Sequence, residues 1–345
     1  MIKILTLLGN NYGGCLQAVA LQNIIKEYDR NVETINYNEY LNKKLTIKKV
    51  IKDIVYFKRN IKFKKFRKKN LLLTKEKNNL KDDGKSKYIV GSDQVWNPTS
   101  LPYEIRKNFY LSFVNEKSRK YAYAASIGED RLDKTAKYEK EIVKMLKQFR
   151  SIAVRENSTS KYLNEKYNLH TLTVLDPTML VGKEFWDSII KKNYKKKDYI
   201  LIYTLGMSES CIEEINKFSV KEGKKIIEVF YKKRFKSTLK VENDLGPSEF
   251  VSAIANSKIV ITNSFHGMVF AIIYHKEFYV LTRNKMNSRI YDLLNTLKLT
   301  DRIVKEEEIN KINCHSYKKI DYEKVDKIIE EERNKSMNYI KSIVS

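Results

Sequence analysis

The chain has 345 residues and a formal charge of +25, from 67 Lys and Arg against 42 Asp and Glu. This length predicts two domains, and no apolar run approaches the length of a membrane span. Cys15, Cys211 and Cys314 are far apart, which excludes zinc-finger spacing and indicates a reducing, cytoplasmic environment.

The positive charge has two explanations that the sequence leaves open. A positive field suits nucleic acid, an anionic membrane surface or acidic small substrates. Alternatively, a chain rich in Lys, Asn and Ile together is what an AT-rich genome encodes. No zinc-finger spacing or RNP-type aromatic motif accompanies the charge, so we expect no nucleic-acid partner.

The chain opens with a predicted βαβ unit, whose strand, helix and strand are residues 2–8, 15–28 and 32–37. The turn at residues 9–14 lacks the dinucleotide pattern and a Walker lysine. Two interpretations remain for it. Asn11, Gly13 and Gly14 could present amide groups to a ligand above the sheet, or they could simply form a turn.

Residues 43–78 are predicted to form a basic helical insert in the first domain. Between residues 43 and 69 only Asp53 opposes the many lysines and arginines, while apolar residues recur at helical spacing. One interpretation is a basic face in peripheral contact with anionic lipid headgroups at the inner side of a membrane. The other is a solvated face over a packed stripe.

Residues 88–98 predict a short strand that ends in Gly-Ser-Asp and is followed by a tryptophan. The carboxyl ends of parallel strands are where α/β sheets bind ligands. Asp93 could therefore take a proton from a hydroxyl group, and Trp96 could stack on a ring. The alternative is an Asx-turn followed by a core tryptophan.

Further strands and helices alternate through the rest of the first half, at residues 118–125, 135–149, 152–156, 157–167 and 171–175. This alternation predicts a parallel sheet with helices on both faces. Ser126 follows the first of these strands in a small-residue turn. Arg155 lies at a strand tip, where its guanidinium could hold a carboxylate or phosphate, or could form an ion pair with Glu156 or another acid.

The second half repeats the pattern, with predicted strands and helices at residues 199–204, 209–222, 225–230, 247–256, 259–262, 265–274, 278–281 and 290–297. We therefore predict two Rossmann-like domains with parallel sheets, facing each other across a cleft in a GT-B-like fold. The domains are expected at residues 1–180 and 181–345. A terminal helix from residue 323 is expected to pack back on the first domain.

His266 follows a β-branched strand and lies in the predicted first turn of a helix. Asn263 and Ser264 are good N-cap residues, and a helix N-terminus suits a bound anion. Gly267 would let a ligand approach the backbone. One interpretation is a general acid that gains a proton when an anionic substrate binds. The other is a histidine that bonds only to neighbouring backbone.

Three basic residues, Arg283, Lys285 and Arg289, follow the next predicted strand. They could bind a phosphate, or they could be surface charge in a lysine-rich chain. No acidic or histidine cluster has metal-ligand spacing, so we expect no metal.

Six segments taken together resemble the polysaccharide pyruvyl transferase family. These segments are residues 10–14, 91–98, 124–128, 154–156, 176–177 and 262–267. The resemblance implies transfer of a pyruvyl group from phosphoenolpyruvate to a sugar, with formation of a ketal on a glycan or lipid-linked precursor. It implies no cofactor beyond that donor. By this resemblance, His266 matches the active-site histidine of the family, and Arg155 matches its anion-binding arginine. Asp93 matches the acidic position that follows the glycine-containing strand end.

Two departures and two rival hypotheses accompany this resemblance. Ser264 stands where active family members often carry an arginine, and Gly14 stands where many have an aspartate. Arg283, Lys285 or Arg289 could replace the missing arginine. The first rival is a GT-B glycosyltransferase that uses a nucleotide sugar, and the second is a basic protein that binds nucleic acid or membrane without catalysis.

Overall fold

The computed structural model describes residues 1–37, 56–129, 131–133, 136–190, 198–229, 240–282, 288–312 and 318–345. The chain divides into two compact units. The first comprises Met1–Thr46, Arg67–Val181 and Ile329–Ser345, and the second comprises Ile47–Phe66 and Gly182–Ile328.

The first unit contains a sheet of six parallel strands in the order β2-β1-β3-β4-β5-β6. These strands are β1 (Ile2–Leu5), β2 (Val32–Thr34), β3 (Lys87–Val90), β4 (Lys120–Ala125), β5 (Ser151–Val154) and β6 (Thr171–Thr173). The helices up to residue 181 are α1 (Tyr12–Tyr28), α2 (Phe57–Asn70), α3 (Tyr103–Arg106), α4 (Glu139–Leu146) and α5 (Asn157–Tyr167).

The core of the first unit lies against the central strands of this sheet. Every residue of β4 is buried, as expected for a parallel strand covered on both faces. The side chain of Trp96 is fully buried, stacks on Tyr110 at 5.6 Å between ring centroids, and meets Phe149 edge to face. This aromatic group joins the segment after β3 to the core beside the sheet.

The second unit contains another sheet of six parallel strands, in the order β12-β11-β10-β7-β8-β9. These strands are β7 (Ile200–Tyr203), β8 (Ile226–Glu228), β9 (Lys240–Val241), β10 (Ile259–Thr262), β11 (Glu277–Thr282) and β12 (Ile303–Lys305). The helices after residue 181 are α6 (Gly182–Ile189), α7 (Glu209–Lys221), α8 (Pro247–Asn256), α9 (Phe265–Ile273), α10 (Ser288–Thr296) and α11 (Tyr322–Val344).

Local chemistry explains where these helices begin. Helix α8 starts with Pro247, whose missing N–H would have no partner at the first helical position. The carboxylate of Glu249 accepts a hydrogen bond from Gly246 N at 2.6 Å. Helix α7 starts after Ser208, whose hydroxyl accepts from Cys211 N at 3.3 Å.

The C-terminal part of α11 packs in the first unit. The hydroxyl of Tyr339 donates to Ala122 O at 2.9 Å, and Leu175 N donates to the hydroxyl of Ser336 at 2.9 Å. Lys87 Nζ donates to Val344 O at 3.2 Å. These contacts attach the end of the chain to strands β3 and β4 and to the segment after β6.

The predicted alternation of strands and helices and the two parallel sheets are confirmed. Two details differ from the sequence prediction. The short strands β9 and β12 were not predicted, and residues 56–66 of the basic insert group with the second unit instead of the first. Residues 43–55 of that insert lie outside the described residues. Of the helices described, none has the length and apolar content needed to cross a membrane.

We predict that Gly91→Ala lowers the free energy of unfolding by about 3 kcal/mol or more. Gly91 follows β3 with a φ of +118°, and an added Cβ would lie 2.1 Å from Tyr123 O. The backbone of β4 cannot move away without breaking its ladder. Thermal unfolding measured by calorimetry tests the prediction.

The matched control is Gly9→Ala, because an added Cβ there meets nothing within 4 Å. The control should change stability by less than about 0.5 kcal/mol. Equal melting temperatures for the two variants would contradict the described backbone after β3.

Candidate functional site

Four strands of the first unit end at one edge of the sheet, and each is followed by a polar residue. Asp93 follows β3, Ser126 follows β4, Arg155 follows β5 and Asp176 follows β6. The segments are also bonded to one another, since Ser126 N donates to Asp93 O at 3.0 Å. The parallel sheet thus brings together residues that are far apart in the sequence.

The guanidinium of Arg155 is the centre of this group and contacts three carboxylates. Its Nη1 donates to Asp176 Oδ2 at 2.9 Å, and its Nε donates to Glu156 Oε1 at 3.1 Å. Its Nη2 lies 3.6 Å from Asp93 Oδ1. We call these four residues the Arg155 cluster.

Burial and charge together define the state of Arg155. Burial alone would lower the pKa of the guanidinium, but Glu156, Asp176 and Asp93 outweigh it and hold the pKa above its ordinary value. Arg155 is therefore a permanent buried cation.

The predicted role of Arg155 as the arginine that binds a substrate anion is not supported by this geometry. Only 2% of its side chain is exposed, and three carboxylates already surround it. The sequence alternative, an ion pair with Glu156 or another acid, describes the structure. Arg155 positions the carboxylate of Asp93, whose side chain is 14% exposed and is the most accessible of the three acids.

A second set of hydrogen bonds ties the start of α1 to the segment after β3. Gln17 Nε2 donates to Thr6 Oγ1 and to Gly14 O, both at 2.8 Å. Thr6 Oγ1 donates to Ser92 O at 3.1 Å, and Ser92 N donates to Gln17 Oε1 at 3.0 Å. The hydroxyl of Ser92 donates to Asp176 Oδ2 at 3.2 Å. These bonds link α1 to the Arg155 cluster.

The glycine-rich segment lies beside Asp93. A Cβ added to Gly14 would lie 3.3 Å from Asp93 Oδ2 and 3.3 Å from Leu7 O. Asn11 is the N-cap of α1, and its side-chain oxygen accepts from Gly14 N at 3.1 Å. Helix α1 begins at Tyr12, so Gly13 and Gly14 lie in its first turn and not in the predicted loop.

The prediction that Trp96 stacks on a substrate ring is wrong. The residue is 0% exposed, one face of its ring stacks on Tyr110, and its Nε1 donates to Phe109 O at 2.8 Å. The alternative of a core tryptophan holds. Ser126 is also fully buried, and its hydroxyl has no hydrogen-bond partner within the described residues.

In the second unit, the junction of β10 and α9 has the predicted strand, turn and helix. Ser264 is the N-cap of α9 and accepts from Gly267 N at 3.5 Å. Thr262 Oγ1 donates to Tyr203 O at 2.5 Å and accepts from Ser264 N at 3.0 Å. The turn is therefore fixed on both sides of the cap.

Asn263, which was predicted to bind substrate, holds the loop after β7. Its Oδ1 accepts from Leu205 N at 2.7 Å, and its Nδ2 donates to Gly206 O at 3.3 Å. Both ends of the amide are thus engaged by the unit's own backbone.

His266 lies in the first turn of α9, where the sequence placed it. The residue is 6% exposed, and its ring meets the ring of Phe265 edge to face at 5.1 Å between centroids. Only a small part of the residue is open to a ligand. The expected approach of a ligand at Gly267 is wrong, because a Cβ there would meet Thr262 Oγ1 at 2.5 Å and Tyr203 Cδ1 at 3.0 Å. Gly267 packs the helix against the sheet.

The three predicted basic residues are only partly covered by the structure. Arg283 and Lys285 lie outside the described residues, and Arg289 is half-buried in the first turn of α10. Within the described ranges, no group of three or more His, Cys, Asp or Glu side chains could hold a metal ion.

The sequence did not single out several members of the network as site residues. Glu156 was named only as an ion-pair partner of Arg155, Asp176 was noted only within a motif, and Gln17 and Ser92 were not assigned a role. In the second unit, the fully buried Glu228 ends β8 at the carboxyl edge of the sheet. The sequence signal for Glu228 is a carboxylate at the end of an apolar strand.

Comparison with solved structures shows the fold. A putative UDP-N-acetylglucosamine 2-epimerase from Listeria monocytogenes is 11% identical, with a TM-score of 0.55 over 95% of this chain and 90% of that chain. The UDP-N-acetylglucosamine 2-epimerase from Rickettsia bellii is 10% identical, with a TM-score of 0.52 over 99% and 97%. S. aureus MnaA in its UDP co-structure is 11% identical, with a TM-score of 0.53 over 90% and 86%. The predicted GT-B-like fold class is confirmed.

The sequence comparison identifies the family. No curated protein matches the chain. The sequence profile of the polysaccharide pyruvyl transferase family, however, matches residues 11–285. That match contains all the segments that form the Arg155 cluster and the junction of β10 and α9. The protein therefore belongs to the polysaccharide pyruvyl transferase family and is a transferase of polysaccharide biosynthesis.

Proposed function

We propose that the protein transfers a pyruvyl group from phosphoenolpyruvate to a sugar of a cell-surface polysaccharide precursor in the cytoplasm, forming a pyruvate ketal. Family membership supports the reaction class. The observation that carries the proposal is the convergence of the motif segments after β3, β4, β5 and β6 on one buried polar network around Asp93.

The proposed chemistry needs one acid and one base. A proton added to C3 of phosphoenolpyruvate makes C2 electrophilic, and a sugar hydroxyl attacks C2 while losing its proton. The bond from C2 to the phosphate oxygen then breaks, and a second hydroxyl attacks C2 to close the ketal. The products are the ketal and inorganic phosphate, which carries away one of the two hydroxyl protons.

We assign the base to Asp93. A general base must be accessible to the proton that it removes. Among the three acids of the Arg155 cluster, Asp93 has the exposed carboxylate, while Glu156 and Asp176 have side chains that are 1% and 0% exposed. Arg155 and the Ser92 hydrogen bond to Asp176 keep the carboxylates around it in fixed positions.

We assign the acid to His266. The N-terminal turn of α9 carries the positive end of a helix dipole, which favours a bound phosphate or carboxylate. An anion there would in turn favour the protonated imidazole, which then donates its proton to C3. Ser264 supplies a cap and no positive charge, so we assign further binding of the donor anion to Arg283, Lys285 or Arg289.

The reaction as proposed uses phosphoenolpyruvate as donor and needs no metal or cofactor. A rival donor is a nucleotide sugar, because the solved structures of similar fold include a UDP complex. The helix N-terminus would then hold a diphosphate. A ligand panel read by melting temperature separates these donors.

We predict that His266→Gln reduces phosphate release from phosphoenolpyruvate and acceptor by about 10²–10⁴-fold, because glutamine cannot act as a general acid. Phosphoenolpyruvate should still raise the melting temperature of the variant, since the helix amides remain. Phosphate release and thermal shift assays measure the two effects.

The control is His170→Gln, which changes an exposed histidine in the first unit. It should leave turnover unchanged. Undiminished turnover in His266→Gln would remove the proposed acid. A thermal shift with UDP and none with phosphoenolpyruvate would favour the nucleotide-sugar donor.

We predict that Arg155→Lys lowers kcat by about 10–100-fold while KM for phosphoenolpyruvate stays within about twofold. Lysine keeps the charge but loses the planar fork that spaces the three carboxylates, so the Asp93 carboxylate shifts. Steady-state kinetics measure both constants. Arg150→Lys, at an exposed position, is the control.

The alternative outcome is a large rise in KM with kcat preserved. That result would mean that Arg155 binds the donor anion directly, and it would contradict the positioning role. Arg155→Met, which leaves three carboxylates around no cation, is expected to lose about 3–5 kcal/mol of stability.

A further inference from the structure

Helix α2 has one strongly basic face, which consists of Lys58, Lys64, Lys65, Lys68 and Lys69. All five residues are exposed. Lys65 and Lys69 lie seven and eleven residues after Lys58, and Lys64 and Lys68 lie beside them, so all five fall on one side of the helix, while Phe63 and Phe66 are buried on the other side. We call this set the lysine face.

The lysine face has no internal counter-charge. The sequence of α2 contains no acidic residue. Within the described part of the chain, none of these five lysines has a carboxylate within ion-pair distance. Lys62, which lies between Lys58 and Lys65 on the same side of the helix, is half-buried and forms ion pairs with Asp244 at 3.4 Å and Glu249 at 3.2 Å. Within the described residues, the fold thus pairs this half-buried lysine and leaves the five exposed lysines without a carboxylate partner.

Exposed apolar side chains lie at both ends of the lysine face. Phe57 begins the helix and is 62% exposed, and Leu72 follows its end and is 48% exposed. Beyond the helix end is a cleft of about 440 Å³, whose lining includes Met1, Arg30, Lys68 and Leu72. Apolar and cationic groups therefore share one surface.

We propose that the lysine face and its flanking apolar side chains dock the protein on a membrane surface rich in anionic phospholipid. Lysines attract the anionic headgroups, and Phe57, Leu72 and Met1 enter the boundary between headgroups and acyl chains. Nucleic acid would use the lysines but would give these exposed apolar side chains no role. Docking would also hold the enzyme near a lipid-linked acceptor, but binding itself does not depend on the proposed reaction.

The test is flotation of the full chain with vesicles of phosphatidylcholine alone or with 30% phosphatidylglycerol. We expect binding only to the anionic vesicles, with loss as salt rises from about 50 to 500 mM. The variant with Lys64, Lys65, Lys68 and Lys69 changed to Gln should bind about 600-fold more weakly, since each lysine contributes about fivefold.

The matched control changes four exposed lysines of the first unit to Gln, which are Lys117, Lys140, Lys144 and Lys147. This control removes the same charge and should bind within about threefold of the unchanged chain. An equal loss of vesicle binding in the lysine-face variant and in the control would mean that only net charge matters, and it would overturn the proposal. No binding to anionic vesicles at low salt would also overturn it.

A second pair of measurements separates lipid from nucleic acid. Phe57→Ser with Leu72→Ser should weaken vesicle binding by about tenfold, because two apolar side chains no longer enter the lipid. Binding to a 20-base-pair duplex should be unaffected by that change. Tight duplex binding without vesicle binding would show that the partner of the lysine face is nucleic acid and not a membrane.

Discussion

The ion-pair cluster of Arg155 is the interaction on which the candidate site of the first unit depends. Burying a carboxylate is costly unless it is paired, and three of them surround this one guanidinium. Asp93, Arg155 and Asp176 follow different strands, and Glu156 follows Arg155 directly. The cluster therefore exists only if β3, β5 and β6 run parallel and end at the same edge, as the sheet order has them. Fold and site impose the same requirement on the chain.

The cluster also limits what this edge of the sheet can bind. Three carboxylates and one guanidinium give an excess of negative charge, which disfavours a second anion such as phosphoenolpyruvate close to Arg155. A neutral sugar hydroxyl meets no such repulsion and can donate a hydrogen bond to Asp93. The electrostatics thus favour an acceptor role for the first unit's edge over the binding of a donor anion by Arg155.

The sequence predicted the parts of the structure that rest on local chemistry. The strand, Ser264 cap and helix around His266 follow from β-branching, capping and apolar spacing, and all are present. It named Glu156 as a partner of Arg155 but not Asp93 or Asp176, and it left the burial of Trp96 open, because these features depend on contacts between distant segments. Strands β9 and β12 have two and three residues and carry no periodic signal. The grouping of residues 56–66 with the second unit likewise depends on tertiary contacts, such as those of Lys62.

The anion site proposed for the second unit would differ from one that has an arginine in place of Ser264. Ser264 uses its hydroxyl to cap Gly267 N and its own N–H to bond Thr262. An arginine there would add a full charge but remove the cap, which is worth about 1 kcal/mol. The dipole of α9 offers the equivalent of only about half a charge. A doubly anionic donor therefore requires cations from other segments, and the first turn of α10, where Arg289 lies, begins after the neighbouring strand β11. In the proposed reaction, His266 is the protonatable side chain of this capped, uncharged turn.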